Sequence, residues 1–182
     1  RFGLAFGDGG DLRGVGLYPF TGHWHTLSPM ANKAQVGDSA PDFELPGTDG
    51  NFRLSEHRGE RVVLLFYPGD NTPVCTKQFC SYRDDSEEIK ALGATVVGIS
   101  HQDLASHEEF ISSNSLTIPL LADVDKKVAK LYGLSAPVLG TRRAALIVDE
   151  EGVIRYRHVH ALGLSFQSAD QLGEALAALP PR

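Results

Sequence analysis

The sequence predicts one α/β domain of three layers, a mixed β-sheet flanked by helices. Two observations carry this expectation. Apolar, β-branched runs alternate with helix-length segments, as strands joined by crossover helices do, which implies a parallel core. A late pair of runs around a short turn adds an antiparallel part. At 182 residues the chain is long enough to bury a substantial core.

The elements follow in chain order from Val36. Asp42-Phe43-Glu44-Leu45 and Asn51-Phe52-Arg53-Leu54 flank the turn residues Pro46 to Gly50, which reads as a hairpin. Ser55 is a candidate cap for a short helical turn before Gly59. Arg61 to Tyr67 reads as a buried strand ended by Pro68-Gly69-Asp70-Asn71. Cys75 to Leu92 reads as one helix, with Phe79, Tyr82, Ile89 and Leu92 on its apolar face and Gly93 as the stop. Ala94 to Ser100 is a strand, Asp103 to Ser113 a helix and Ile118 to Leu121 a short strand. Asp123 is expected to cap a helix through Tyr132. Ala144 to Val148 and Val153 to His158 form the late hairpin, and Ser168 to Leu179 is a closing amphipathic helix. The domain is expected to span residues 36–180.

The first 29 residues differ from the rest. Seven of the 19 glycines lie there, where an even spread gives about three, and no apolar periodicity appears. They are expected to be a flexible extension or a non-native remnant, with Met30 as the native start. His23-Trp24-His25 lacks further ligands, so no metal site is expected there, and no cofactor elsewhere.

Composition excludes several function classes. A net charge of −6 argues against a nucleic-acid surface, which needs basic clusters. No apolar run is long enough to span a bilayer, and with no targeting pattern the expected compartment is the cytoplasm. The two cysteines, Cys75 and Cys80, are too few for a disulfide scaffold or a structural zinc site. So close a pair fits a redox couple.

The chemistry concentrates between Phe66 and Cys80. Cys75 stands where a loop leaves a buried strand and a helix begins, and the free amides and dipole there favour a thiolate. Pro68 and Pro73 stiffen that loop, and Thr72 is either a pocket hydroxyl or the helix cap. Cys80 by itself reads equally as a small buried side chain. Gln78, one turn beyond Cys75, either orients a partner or faces solvent. His101, His107, His158 and His160 are read as exposed or strand-end residues.

The spacing Pro68…Thr72…Cys75 resembles the PxxxTxxC motif of the peroxiredoxins, thiol peroxidases on a thioredoxin-like fold. Thr72-Pro73-Val74-Cys75-Thr76, followed by Cys80, is similar to the bacterioferritin comigratory protein (peroxiredoxin Q) branch, although Val74 stands where a Gly is common. The resemblance runs from about Val36 to the last helix. It implies that Cys75 attacks the peroxide and that Cys80 resolves the sulfenic acid as an intramolecular disulfide. Pro68, Thr72 and an Arg before the final hairpin complete the site. Of Arg142 and Arg143, counting back from Leu146-Ile147-Val148-Asp149 selects Arg143. The implied partners are a peroxide and thioredoxin or a similar dithiol, with the chain as a monomer or weak homodimer. Two rivals stand beside this reading: a thioredoxin-like disulfide oxidoreductase, which normally separates its cysteines by two residues, and a non-enzymatic binding module.

Overall fold

The computed structural model describes residues 34–138, 140–161 and 164–179. The expected extension over residues 1–29 and the His23-Trp24-His25 segment lie outside them. Strands β1 (Glu44–Leu45) and β2 (Phe52–Arg53) pair as the expected hairpin. A 3-10 turn over Leu54–His57 follows, with no side-chain cap. Ser55 therefore does not cap it; its backbone N–H donates instead to Asp42 Oδ1 at 2.9 Å.

Next come β3 (Val62–Phe66), α1 (Pro73–Asp84), α2 (Ser86–Ala91), β4 (Thr95–Ser100) and α3 (Leu104–Asn114). The chain continues through β5 (Leu120–Ala122), α4 (Lys127–Leu131), and the short pair β6 (Ser135–Ala136) and β7 (Gly140–Thr141). It closes with β8 (Ala144–Val148), β9 (Ile154–Val159) and α5 (Ala169–Ala177). The central sheet has five strands in the order β5-β4-β3-β8-β9. β3 pairs in parallel with β4, and β4 with β5, whereas β8 runs antiparallel to both β3 and β9. This is the mixed sheet that the sequence predicts.

Every residue of β3 is buried, so its period of two divides the core rather than separating core from solvent. Val62, Leu64 and Phe66 face Phe43, Phe52, Val128 and Tyr132 on one side of the sheet. Val63, Leu65 and Tyr67 face Cys75, Phe79, Tyr82, Phe110 and Leu172 on the other. The cysteine-bearing helix α1 thus shares a layer with α3 and α5.

Three local details differ from the sequence expectation. The single helix over 75–92 is two, because Asp85 adopts φ −92° and ψ 34° and its N–H closes back on Ser81 O. Asp84, Asp85 and Ser86 are poor helix-interior residues whose side chains compete for backbone groups. α4 begins at Lys127 rather than Asp123 because Lys126 is left-handed, with φ 55°. Asp123 still serves that helix: its carboxylate accepts from Val128 N (3.1 Å) and Ala129 N (2.8 Å). The third short strand covers Leu120–Ala122. Asp103 and Ser168, expected as the first residues of their helices, stand one position before them as N-caps, and Ser168 forms a full capping box with Gln171.

Gly98 in β4 is where α1 comes closest to the sheet. A Cβ built there would meet Leu120 Cδ2 at 2.6 Å and Phe79 Cζ at 2.9 Å. Both side chains are essentially fully buried and have nowhere to retreat. Gly98→Ala is therefore expected to cost about 1–3 kcal/mol by overpacking. Chemical denaturation measures it, and an unchanged midpoint would show that Phe79 can yield without loss.

Candidate active site

The site is assembled where β3 hands over to α1. Thr72 is extended (φ −81°, ψ 144°) and forms the N-cap, and Pro73 opens the helix, where its missing N–H costs nothing. Thr72 Oγ1 accepts from Cys75 N at 3.4 Å and donates to Gly69 O at 3.3 Å. Both sequence readings of Thr72 thus meet in one residue: it caps the helix and places a hydroxyl beside Cys75. Pro68, half-buried, begins the same loop.

Cys75 is 0% exposed. Arg143, itself buried, donates from Nη2 to Cys75 Sγ at 3.0 Å. A guanidinium at that distance stabilises negative charge on the sulfur. Its Nη1 donates to Gln78 Oε1. Gln78 Nε2 in turn donates to Tyr82 Oη (3.2 Å), and Tyr82 donates to the Gln167 carbonyl (2.5 Å). Gln78 is therefore a buried orienting residue and not a solvated one. Burial pushes the Tyr82 phenol up to about 12, so it remains an O–H donor. The adjacent Arg142 is half-buried; burial first, and then the Arg142 charge, lower the pKa of Arg157.

Cys80 lies on the same continuous helix, half-buried, with Sγ 3.9 Å from Asn114 Oδ1. Both cysteines are free thiols. Five residues along an ideal helix separate Cα atoms by about 8.7 Å, beyond the reach of a disulfide, about 7 Å.

A second buried group of polar side chains was not anticipated. Asp70 accepts from Tyr67 Oη (2.7 Å), Ser106 Oγ (2.8 Å) and His107 Nδ1 (2.8 Å). His107 Nε2 faces the Leu121 carbonyl at 3.2 Å. A carboxylate only accepts, so the Asp70 contact is a donation from Nδ1. Burial pushes the Asp70 carboxyl up, but hydrogen bonds from His107 and Tyr67 and the His107 charge outweigh it and hold it below the ordinary 3.8. Burial, then the Asp70 charge, drives the Tyr67 phenol well above its ordinary value.

The sequence reading of the histidines needs correcting at His107, which is completely buried on α3. His158 is exposed, and His160, although buried, stands at the end of β9. Burial, His158 and Arg143 push His160 down to about 4, and its N–H donates to Arg143 O at 3.0 Å. One signal in the sequence pointed to His107: it shares a helical stripe with Phe110 and Ile111. Among the described residues no group of three or more His, Cys, Asp or Glu side chains could hold a metal ion. No described helix is long and apolar enough to cross a membrane. A groove of about 620 Å³ between α2 and α5, lined by Arg61, Glu88, Leu92 and Glu174, contains none of the predicted site residues.

Comparison with known proteins gives a consistent result. Residues 36–157 match the model of the AhpC/TSA family. The chain is 40% identical to the chloroplastic peroxiredoxin Q of Oryza sativa subsp. japonica over 153 residues, 82% of this chain and 69% of that protein. It is 39% identical to the chloroplastic peroxiredoxin Q of Triticum aestivum over 150 residues, 81% of this chain and 67% of that one. Among solved structures, peroxidoxin BcpB from Mycobacterium tuberculosis superposes with a TM-score of 0.72 at 30% identity, covering 81% of this chain and 99% of that chain. The reduced 2-Cys peroxiredoxin of Plasmodium vivax shares the fold, with a TM-score of 0.70 at 23% identity over 79% of this chain and 80% of that chain.

The depressed carboxyl of Asp70 has a consequence for acid stability. Folding favours its ionised form, so its contribution is complete above the ordinary value of 3.8 and is lost as pH falls through the lower folded value. Asp70→Asn lacks this contribution at every pH. The stability gap between the two proteins, measured by urea unfolding, should therefore narrow as pH drops below about 4. A gap that stays constant to pH 2 would contradict the assignment.

Proposed function

Since the chain belongs to the AhpC/TSA family and is a thiol peroxidase on a thioredoxin-like fold, we propose that Cys75 is the thiol that attacks the peroxide. The carrying observation is the Arg143 guanidinium 3.0 Å from a fully buried sulfur. In the first step a bond forms between Cys75 Sγ and one peroxide oxygen as the O–O bond breaks. The other oxygen leaves and takes a proton, giving water or an alcohol and a sulfenic acid on Cys75. Arg143, the Thr72 hydroxyl and the loop amides supply the donors for the charge that moves onto the leaving oxygen. This arrangement supports hydrogen peroxide and organic hydroperoxides as substrates. With Cys75 covered, entry needs a small opening at the loop–helix junction, where Thr72 is exposed.

Cys80 then attacks the sulfenic sulfur. The S–S bond forms, the S–O bond breaks and water leaves. Thioredoxin or a similar dithiol reduces the disulfide by thiol exchange, and the working form is a monomer or weak homodimer. The cytoplasmic placement expected from the sequence gains no support, because the rice and wheat relatives are named as chloroplastic while the similar BcpB is mycobacterial. The oxidoreductase rival is disfavoured by the four residues between the cysteines and by the covered sulfur of Cys75.

Cysteine variants test the two roles. Cys75→Ser is expected to abolish peroxide reduction. Cys80→Ser is expected to keep the first oxidation and lose the intramolecular disulfide, accumulating sulfenic and then sulfinic acid. Thiol titration after one equivalent of hydrogen peroxide reads both, and normal turnover of Cys80→Ser with thioredoxin would remove Cys80 from the mechanism.

The disulfide also demands a change of shape. The helix that holds the cysteines about 8.7 Å apart must unwind before they bond. Amide hydrogen exchange across Thr76 to Asp84 is expected to be slow in the reduced protein and fast in the oxidised one. Equal protection in both states, with the disulfide confirmed by mass, would sink the unwinding step.

A further inference from the structure

Asp70 and His107 form a buried pair that the peroxide chemistry above does not use. The Asp70 carboxylate is fixed by Tyr67 at the end of β3 and by Ser106 and His107 on α3. Through Nε2, His107 carries the attachment on to the Leu121 carbonyl in β5. The backbone of Asp70 is tied to the same platform, since its N–H donates to Gln102 Oε1 and Gln102 Nε2 donates to Ser106 Oγ at 3.2 Å. Side chain and main chain of one loop residue are thus both held on the first turn of α3.

The next residue shows what this anchoring maintains. Asn71 is left-handed, with φ 56°, a conformation open to few residues besides Gly and Asn. It is held between Asp70 on one side and Thr72 on the other, and Thr72 is bonded to both Gly69 O and Cys75 N. With Asp70 held, the chain enters Thr72 in the orientation that puts its hydroxyl on the head of α1. The same network reaches α1 by a second route. The Tyr67 ring meets Phe79 edge-on, with centroids 4.7 Å apart, one helical turn beyond Cys75.

We infer that Asp70 and His107 are positioning residues for peroxide reduction, setting the loop that aims Thr72 and the Cys75 amide at the reacting oxygens. A purely structural pair is the alternative, and a buried ion pair is by itself weak evidence for stability. The inference rests on the reading that Cys75 attacks the peroxide. It differs from a structural role in one respect: it requires the peroxide rate to fall more than the general reactivity of the thiol.

The test compares two reactions of reduced protein at one pH. Stopped-flow oxidation by hydrogen peroxide reads the positioned donors. Alkylation of Cys75 by iodoacetamide, located by peptide mass spectrometry, reads the thiolate and its accessibility. Asp70→Asn and His107→Leu are expected to slow oxidation about 10–100-fold, the scale of a misplaced donor, with alkylation changed less than about 3-fold. His107→Gln keeps an amide N–H for Asp70 and is expected to recover part of the rate. Should the first two variants fail to fold, Ser106→Ala decides, because it removes one donor and leaves the pair intact; a loss of about 3-fold in oxidation alone is expected. Wild-type oxidation rates in folded variants, or oxidation and alkylation falling together, would overturn the inference. Peroxide consumption by Cys75→Ser would instead overturn the reading of Cys75 on which it rests.

Discussion

The proposed chemistry asks a buried sulfur to react as an anion, and the rest of the site follows from that constraint. An isolated charge in a protein core costs several kcal/mol, so a completely covered Cys75 thiolate needs an opposite charge in contact. Arg143 meets the need at 3.0 Å, and the need is mutual, because its guanidinium is also buried. Its Nη1 donates to the neutral Gln78 amide oxygen. Gln78 is held by Tyr82, and Tyr82 by the Gln167 carbonyl just before α5. One electrostatic contact therefore fastens β8, α1 and the entrance to α5 to each other.

That arrangement conflicts with the second half of the proposed cycle. Gln78, Phe79 and Tyr82 all lie on the stretch of α1 that must unwind for Cys80 to reach Cys75. Exposing Phe79 and Tyr82 costs about 1.5–3 kcal/mol each. Each 1.4 kcal/mol corresponds to about 30 mV for a two-electron couple. Loss of this packing thus moves the disulfide about 65–130 mV towards easy reduction. In the proposed cycle, the packing that builds the reduced site also favours reduction of the oxidised form by a dithiol. Reduction is rewarded by refolding of the helix.

The fold was legible where a pattern repeats along the chain. β3 and β8 show as uninterrupted apolar runs because they are buried on both faces. The loop around Cys75 was legible because its prolines, Thr72 and Cys75 act on neighbours three to seven positions away. Contacts made across the fold were not. Asp70 and His107 are 37 residues apart, and in the sequence Asp70 is indistinguishable from an ordinary turn aspartate beside Gly69 and Asn71. Gln78 could be placed near Cys75 but not declared buried, since its environment comes from Tyr82 and Arg143 together. The break at Asp85 was missed for the opposite reason: the apolar spacing of Tyr82 and Ile89 survives it, and periodicity detects faces better than interruptions.

The two ends of α1 are held very differently, and the difference assigns the motion. At its start, Thr72 caps Cys75, Asp70 pins the loop to α3, and Arg143 grips the sulfur. At its far end the helix stops at Asp85, and α2 beyond it buries none of its residues. Apart from the buried Tyr82, the ties there are a 3.9 Å contact from Cys80 to Asn114 and a 2.6 Å hydrogen bond from the partly exposed Arg83 to the Asn114 carbonyl. Local opening begins where buried contacts are fewest. In the proposed cycle Cys80, half-buried and tied by that 3.9 Å contact, is therefore the partner that travels. The fully buried Cys75 is the group awaiting attack, so the attacking thiol is brought to it.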